Sequence, residues 1–144
     1  MFRTVFDTNM LVAAIINQNG YPAQILSAWR MGIIEIVVSP AIMREYRRVL
    51  FFPEVRASSQ TSEAEILNLL STLDGNAILV PGVLDLRVIA KDPTDDKFFA
   101  AAVEGEANYI ITKEQAWKKL KTYRGIRIVS PSKFFEILQK LNKS

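Results

Sequence analysis

The 144-residue chain has no cysteine and no histidine. Without cysteine there is neither a disulfide nor a thiolate metal site, and nothing suggests export. Without histidine, serine–histidine–aspartate triads, phosphohistidine transfer and imidazole metal ligation are all excluded. Carboxylates, lysine, tyrosine, serine and threonine are left to carry chemistry. No run of apolar residues is long enough for a membrane-spanning helix. The N-terminus reaches an acid, Asp7, too early for a secretory signal, so the simplest expectation is a cytoplasmic location. Glycine is scarce, with 6 residues, and none is arranged as the turn that a P-loop or dinucleotide fold needs.

The residues present make an ordinary globular composition, 49% hydrophobic and 23% charged. The length fits a single domain, residues 1–144, large enough to bury a real core. A formal charge of +3 is compatible with a polyanionic partner.

Short apolar runs at 2–6, 33–38, 77–80, 109–112 and 126–129 read as buried strands. Helices are expected between them. Asp7, Thr8 and Asn9 can cap the first, over 10–17. Pro22 opens the second, to about Met31, and Pro40 the third, to about Phe51, where Pro53 ends it. A polar loop is expected at 57–61. A capping box at Thr61 or Ser62 starts a helix that closes near Gly75. Further helices are expected at 94–104 and from Ser132 to Leu141, with a Lys-rich helix or turn at 114–121 and a turn at Arg124-Gly125. The segment 84–90 has no clear reading. Alternating strands and helices point to βαβ units and a mainly parallel sheet, an α/β/α sandwich.

Four acids fall where such a sheet presents its functional edge. Asp7 follows the first strand and Glu114 the fourth. On the third helix Ile42, Tyr46, Val49 and Leu50 form an apolar stripe, with Glu45 at its margin; the alternative for Glu45 is a surface ion pair with Arg48. Asp92 is a good N-cap before Pro93, and Asp95 stands where a capping box wants an acid. Asp96 heads the stripe Phe99, Ala100 and Val103, so it points along a buried face; a shift of one residue in helix phase would put Asp95 there instead. A buried, unpartnered carboxylate costs several kcal/mol. Four meeting at one edge would repel unless a cation lay between them, and hard oxygen donors suit Mg²⁺ or Mn²⁺. Lys113, Lys118, Lys119, Lys121, Arg124 and Arg127 form a basic cluster nearby. Lys113, Lys118 and Arg124 are its best placed members for holding substrate phosphates.

The ordered set Val5-Phe6-Asp7-Thr8-Asn9, Ser39-Pro40-Ala41-Ile42-Met43-Arg44-Glu45-Tyr46, Asp92-Pro93-Thr94-Asp95-Asp96-Lys97-Phe98-Phe99 and Ala107-Asn108-Tyr109-Ile110-Ile111-Thr112 resembles the PIN-domain nucleases, in particular those that act as toxins of toxin–antitoxin pairs. The resemblance places the family's acids on Asp7, Glu45, Asp96 and Glu114, as catalytic and metal-holding residues, with Thr8, Asn9 and Thr112 as supports. It implies an α/β/α fold, Mg²⁺ or Mn²⁺, metal-assisted hydrolysis of single-stranded RNA, a homodimer and a small antitoxin partner. Phe51, Phe52 and Trp29 are the apolar residues expected to be exposed and to build the dimer. Where the family usually has Thr-Gly-Asp, this chain has Thr112-Lys113-Glu114. The other reading is therefore a catalytically weakened module that binds RNA or a partner. A receiver domain fits poorly, since Asp7 lacks an adjacent acid and Val80 is followed by Pro81-Gly82. An Asp-x-Asp phosphatase loop fails because Asn9 stands at the second acid.

Overall fold

In order along the chain the elements are β1 (Arg3–Phe6), α1 (Thr8–Ile16), α2 (Tyr21–Arg30), β2 (Glu35–Val38), α3 (Pro40–Leu50), α4 (Pro53–Ser58), α5 (Glu63–Asn76), β3 (Ile78–Leu79), a 3-10 turn (Pro93–Asp95), α6 (Asp96–Glu104), β4 (Tyr109–Ile111), α7 (Gln115–Lys118), β5 (Thr122–Tyr123), β6 (Ile126–Val129) and α8 (Pro131–Asn142). They come from a computed structural model, which describes residues 1–89 and 92–142.

The sheet order is β3-β2-β1-β4-β6-β5. All pairs are parallel except β5 with β6. Successive residues of a strand face opposite sides of the sheet. Thr4, Val5 and Phe6 of β1, and all of β4, are buried. Both faces of the central strands are therefore covered, which makes a three-layer α/β/α sandwich. The helix α6 packs on β1, β2 and β4. Gly105, which ends it, lies so close to β2 that a Cβ there would sit 2.6 Å from Val37 Cγ1.

Local chemistry explains most boundaries. Ser39 caps α3 by accepting from the Ile42 amide at 3.3 Å, and Pro40 takes the first helical position, where no N–H is needed. Ser62 and Glu65 form the capping box of α5. Three expectations change. Pro53 does not close a helix into a loop; it opens the short helix α4, because a proline that cannot continue one helix can start the next. The Lys-rich stretch is helical only over Gln115–Lys118, and Thr122–Tyr123 pairs with β6. Arg124 and Gly125, with φ of 50° and 82°, form the tight turn of that hairpin. Trp29 is buried, and Phe51 and Phe52 pack half-buried against the core, so none of the three offers the exposed apolar face expected of them.

The segment without a sequence reading is described over residues 84–89; Ala90 lies outside the described residues. It makes no strand ladder. Two carboxylates of α6 fasten it instead. Glu104 accepts from the Gly82 and Leu84 amides at 2.9 and 3.0 Å. Asp96 accepts from the Val88 and Ile89 amides at 2.9 and 2.8 Å. The chain thus runs as a strap along α6, with one carboxylate at each end.

Candidate active site

The connections run from β1 outward through β2 to β3, then return to place β4 on the other side of β1. The order of strands therefore reverses between β1 and β4. Crevices at the carboxyl ends of such strands are where open α/β sheets bind ligands. Asp7 follows β1 directly, and its amide donates to the Ile111 carbonyl at 3.1 Å, which ties it to the end of β4. An open cleft of about 370 Å³ lies there, lined by five carboxylates: Asp7, Glu45, Asp92, Asp95 and Glu114. Val49, Ile89 and Trp117 give it apolar walls.

Each of three acids is held by one neutral side chain. Thr112, fully buried, donates to Asp7 Oδ2 at 2.8 Å. Asn9 donates through Nδ2 to Glu114 Oε1 at 2.8 Å. The Thr8 hydroxyl donates to Glu45 Oε2. The first turn of α1 thus orients an acid of α3 and the acid that precedes α7. Tyr46 fixes α3 against β1 by donating its hydroxyl to the Phe6 carbonyl at 2.5 Å. Burial, then the charges of Asp7 and Glu45, push the Tyr46 phenol upward, so it stays a neutral donor.

Glu45 does lie at the edge of the buried stripe: its side chain is 15% exposed. Arg48, the partner expected for it, stays at 4.0 Å. The nearer cation is Lys97, whose ammonium sits 2.6 Å from Glu45 Oε1.

Asp96 does not reach the cleft. Its Oδ1 accepts the two strap amides, and Asp95 lines the cleft in its place. Asp96 is buried at the head of its stripe, as the helix spacing requires, and Asp95, in the 3-10 turn before α6, is half-buried. Asp92 caps the turn as expected, accepting from the Thr94 amide at 3.0 Å. Asp95 does not complete a capping box; its carboxylate lines the cleft beside Trp117.

The electrostatics follow from this crowding. Burial, with like charge from Glu114 and Asp95 behind it, raises Asp7 to about 6 against the bonds from Thr112 and Asn9. Burial, Asp92 and Glu45 raise Asp95 to about 6 against Lys97 and Trp117. The donors are all oxygen, which fits a hard divalent ion, and an ion would relieve the crowding of negative charge. Among the described residues, no three acids stand grouped as they would around one ion. The basic residues Lys113, Lys118 and Arg124 lie outside the cleft lining; Arg124 stacks over the Tyr123 ring at 5.5 Å.

Lys97, Tyr46 and Trp117 escaped the sequence reading. Lys97 hides in what looks like a solvated face. Tyr46 and Trp117 look like core, which they also are. Among the described residues no helix is long and apolar enough to cross a membrane.

Comparison with known proteins shows the family. An uncharacterized protein of Methanocaldococcus jannaschii, MJ1680, is 26% identical over 146 residues, covering 96% of this chain and 92% of that protein. A family model described as the PIN domain matches residues 3–116. PIN domains are generally nucleases, and the chain belongs to the PIN domain family.

Proposed function

We propose that this chain is a divalent-metal-dependent endoribonuclease that hydrolyses phosphodiester bonds of single-stranded RNA. The observation that supports it most is the convergence of Asp7, Glu45, Asp95 and Glu114 on one cleft at the point where the strand order reverses. Asp7, Asp95 and Glu114 would hold Mg²⁺ or Mn²⁺. When bound, the ion supplies polarisation of the scissile phosphate and activation of water. The chain's own residues position the acids: Thr112 orients Asp7, Asn9 orients Glu114 and Thr8 orients Glu45. Asp96 acts at one remove, by anchoring the strap that brings Ile89 to the cleft wall. Lys113, Lys118 and Arg124 would meet the RNA backbone beyond the cleft.

The resemblance to toxins extends the proposal to a cytoplasmic toxin of a toxin–antitoxin pair, with a small antitoxin partner and a homodimeric state.

The test is cleavage of a mixed-sequence single-stranded RNA with Mn²⁺ or Mg²⁺ and with EDTA, comparing the unaltered protein with Asp7→Asn. Metal-dependent cleavage that disappears in the variant supports the reading. RNA bound but not cut by either protein assigns the weakened binding module instead, which Glu114 at the family's aspartate position would favour. Equal cleavage by both proteins would remove Asp7 from the site.

A further inference from the structure

Lys97 is unusual in its surroundings. It stands in the first turn of α6, beside an acid-lined cleft, yet its side chain is 19% exposed. Its ammonium has three partners: Glu45 Oε1 at 2.6 Å, the Thr94 carbonyl at 2.6 Å and the face of the Phe98 ring at 5.2 Å. A lysine placed only for solubility would extend into water, since its long stem loses rotamer freedom when held. Here the ammonium is fixed and partly dehydrated, and it is aimed at one carboxylate.

Glu45 is correspondingly occupied on both sides. Oε1 takes Lys97, and Oε2 takes the Thr8 hydroxyl. Among the described residues Asp7 and Glu114 have no such cation; their bonds come from Thr112, the Asn9 backbone amide and the Asn9 side chain. Among the described residues the cleft therefore holds Glu45, paired directly with an ammonium, Asp7 and Glu114, held by neutral donors, and Asp95, which feels the Lys97 charge without an ion pair to it. A divalent ion approaching Glu45 would meet the Lys97 charge and would have to displace it or the Thr8 hydroxyl.

We propose that Lys97 is the resident cation of Glu45. It makes Glu45 a positioned anion rather than a metal ligand, and it leaves a divalent ion to Asp7, Asp95 and Glu114. This rests on the nuclease reading and deepens it by assigning the acids different jobs. Lys97 is a positioning residue, acting through Glu45. It also offsets one negative charge in a cleft that a polyanionic substrate has to approach.

The experiment is calorimetric titration of Mn²⁺ into the metal-free full chain, with thermal melts to verify folding. It compares the unaltered protein with Glu45→Gln, Lys97→Met, Lys97→Arg and the double variant Glu45→Gln/Lys97→Met. Glu45→Gln is expected to change Mn²⁺ affinity by less than about threefold while Lys97 is present. Lys97→Met is expected to tighten Mn²⁺ binding by about tenfold or to add a second ion, because the freed Glu45 carboxylate becomes a ligand. That gain should vanish in the double variant, and Lys97→Arg should bind as the unaltered protein does.

Weakening by about tenfold or more in Glu45→Gln overturns the proposal, because Glu45 is then a ligand despite Lys97. So does unchanged Mn²⁺ binding in Lys97→Met. The Glu45→Gln result decides even if Lys97→Met fails to fold. Mn²⁺-dependent RNA cleavage by the unaltered protein together with either of those results overturns this assignment and leaves the nuclease reading standing. No Mn²⁺ binding by the unaltered protein overturns both.

Discussion

Thr112 couples Asp7 to Glu114. Its buried hydroxyl donates to Asp7 Oδ2 at 2.8 Å and accepts from the Glu114 amide at 2.9 Å. One side chain at the end of β4 therefore orients the acid at the end of β1 and sets the backbone from which Glu114 reaches into the cleft. The cleft is built across the two central strands rather than on either alone.

Thr112→Val keeps the shape and removes the hydroxyl. The loss of bonds on both sides is expected to cost about 1–2 kcal/mol of stability. The same bond holds the Asp7 carboxyl down, so its removal should raise Asp7 further. Melting temperature and the pH midpoint of Asp7 titration, followed by carboxyl NMR, are the measurements. An unchanged titration would mean that Thr112 does not govern Asp7.

The pH dependence of stability has a definite sign. Asp7 and Asp95 stand at about 6 in the folded chain against 3.8 in the reference state. A raised pKa means that the folded form holds the proton more tightly. The stability this contributes is complete below about pH 4 and is lost as pH rises through about 6. The urea midpoint of the metal-free protein should therefore fall between about pH 4.5 and 7. With no histidine in the chain, no imidazole titration can imitate this slope. A flat profile over that window would show that the two carboxyls are already compensated.

Asp7→Asn is expected to separate stability from activity. The carboxylate is nearly buried, at 4% exposure, and carries a charge that burial penalises. Removing the charge should stabilise the metal-free protein near pH 7.5 by on the order of 1–3 kcal/mol, raising its melting temperature by several degrees. RNA cleavage should be lost. A lower melting temperature would contradict the account of Asp7 as a charge kept at a cost for function.

Asp95 and Asp96 are neighbours with opposite expectations. Asp95→Asn should weaken Mn²⁺ binding and leave the fold as stable or more so. Asp96→Ala removes the acceptor of the two strap amides held at 2.9 and 2.8 Å, so it should cost about 1.5–3 kcal/mol with Mn²⁺ binding largely kept. Calorimetry and thermal melts on the pair decide it, and a reversed pattern would return Asp96 to the metal.

Much of this was open to reading from the chain alone. The strands Glu35–Val38 and Ile126–Val129 lie within the runs 33–38 and 126–129, which are bounded by glycine, proline or serine and rich in β-branched residues. Of the stripe Ile42, Tyr46, Val49 and Leu50, all but the half-buried Val49 are buried, and its spacing put Glu45 at the margin. Asp7 and Glu114 needed only the rule that parallel strands share one functional edge. Other elements carry too little local signal. A two-residue strand such as Thr122–Tyr123 exists because β6 is beside it, and the strap has no ladder of its own.

What the sequence by itself determined is the alternation of elements, the oxygen-only chemistry left by the missing cysteine and histidine, and the edge at which the acids collect. Those follow from local periodicity and composition. Tertiary structure alone decided which partners each acid has. The strap amides occupy Asp96 while Asp95 lines the cleft, and the packing of α6 beside α3 puts Lys97 against Glu45. Those assignments depend on angles and distances between elements far apart in the chain, which no local pattern encodes.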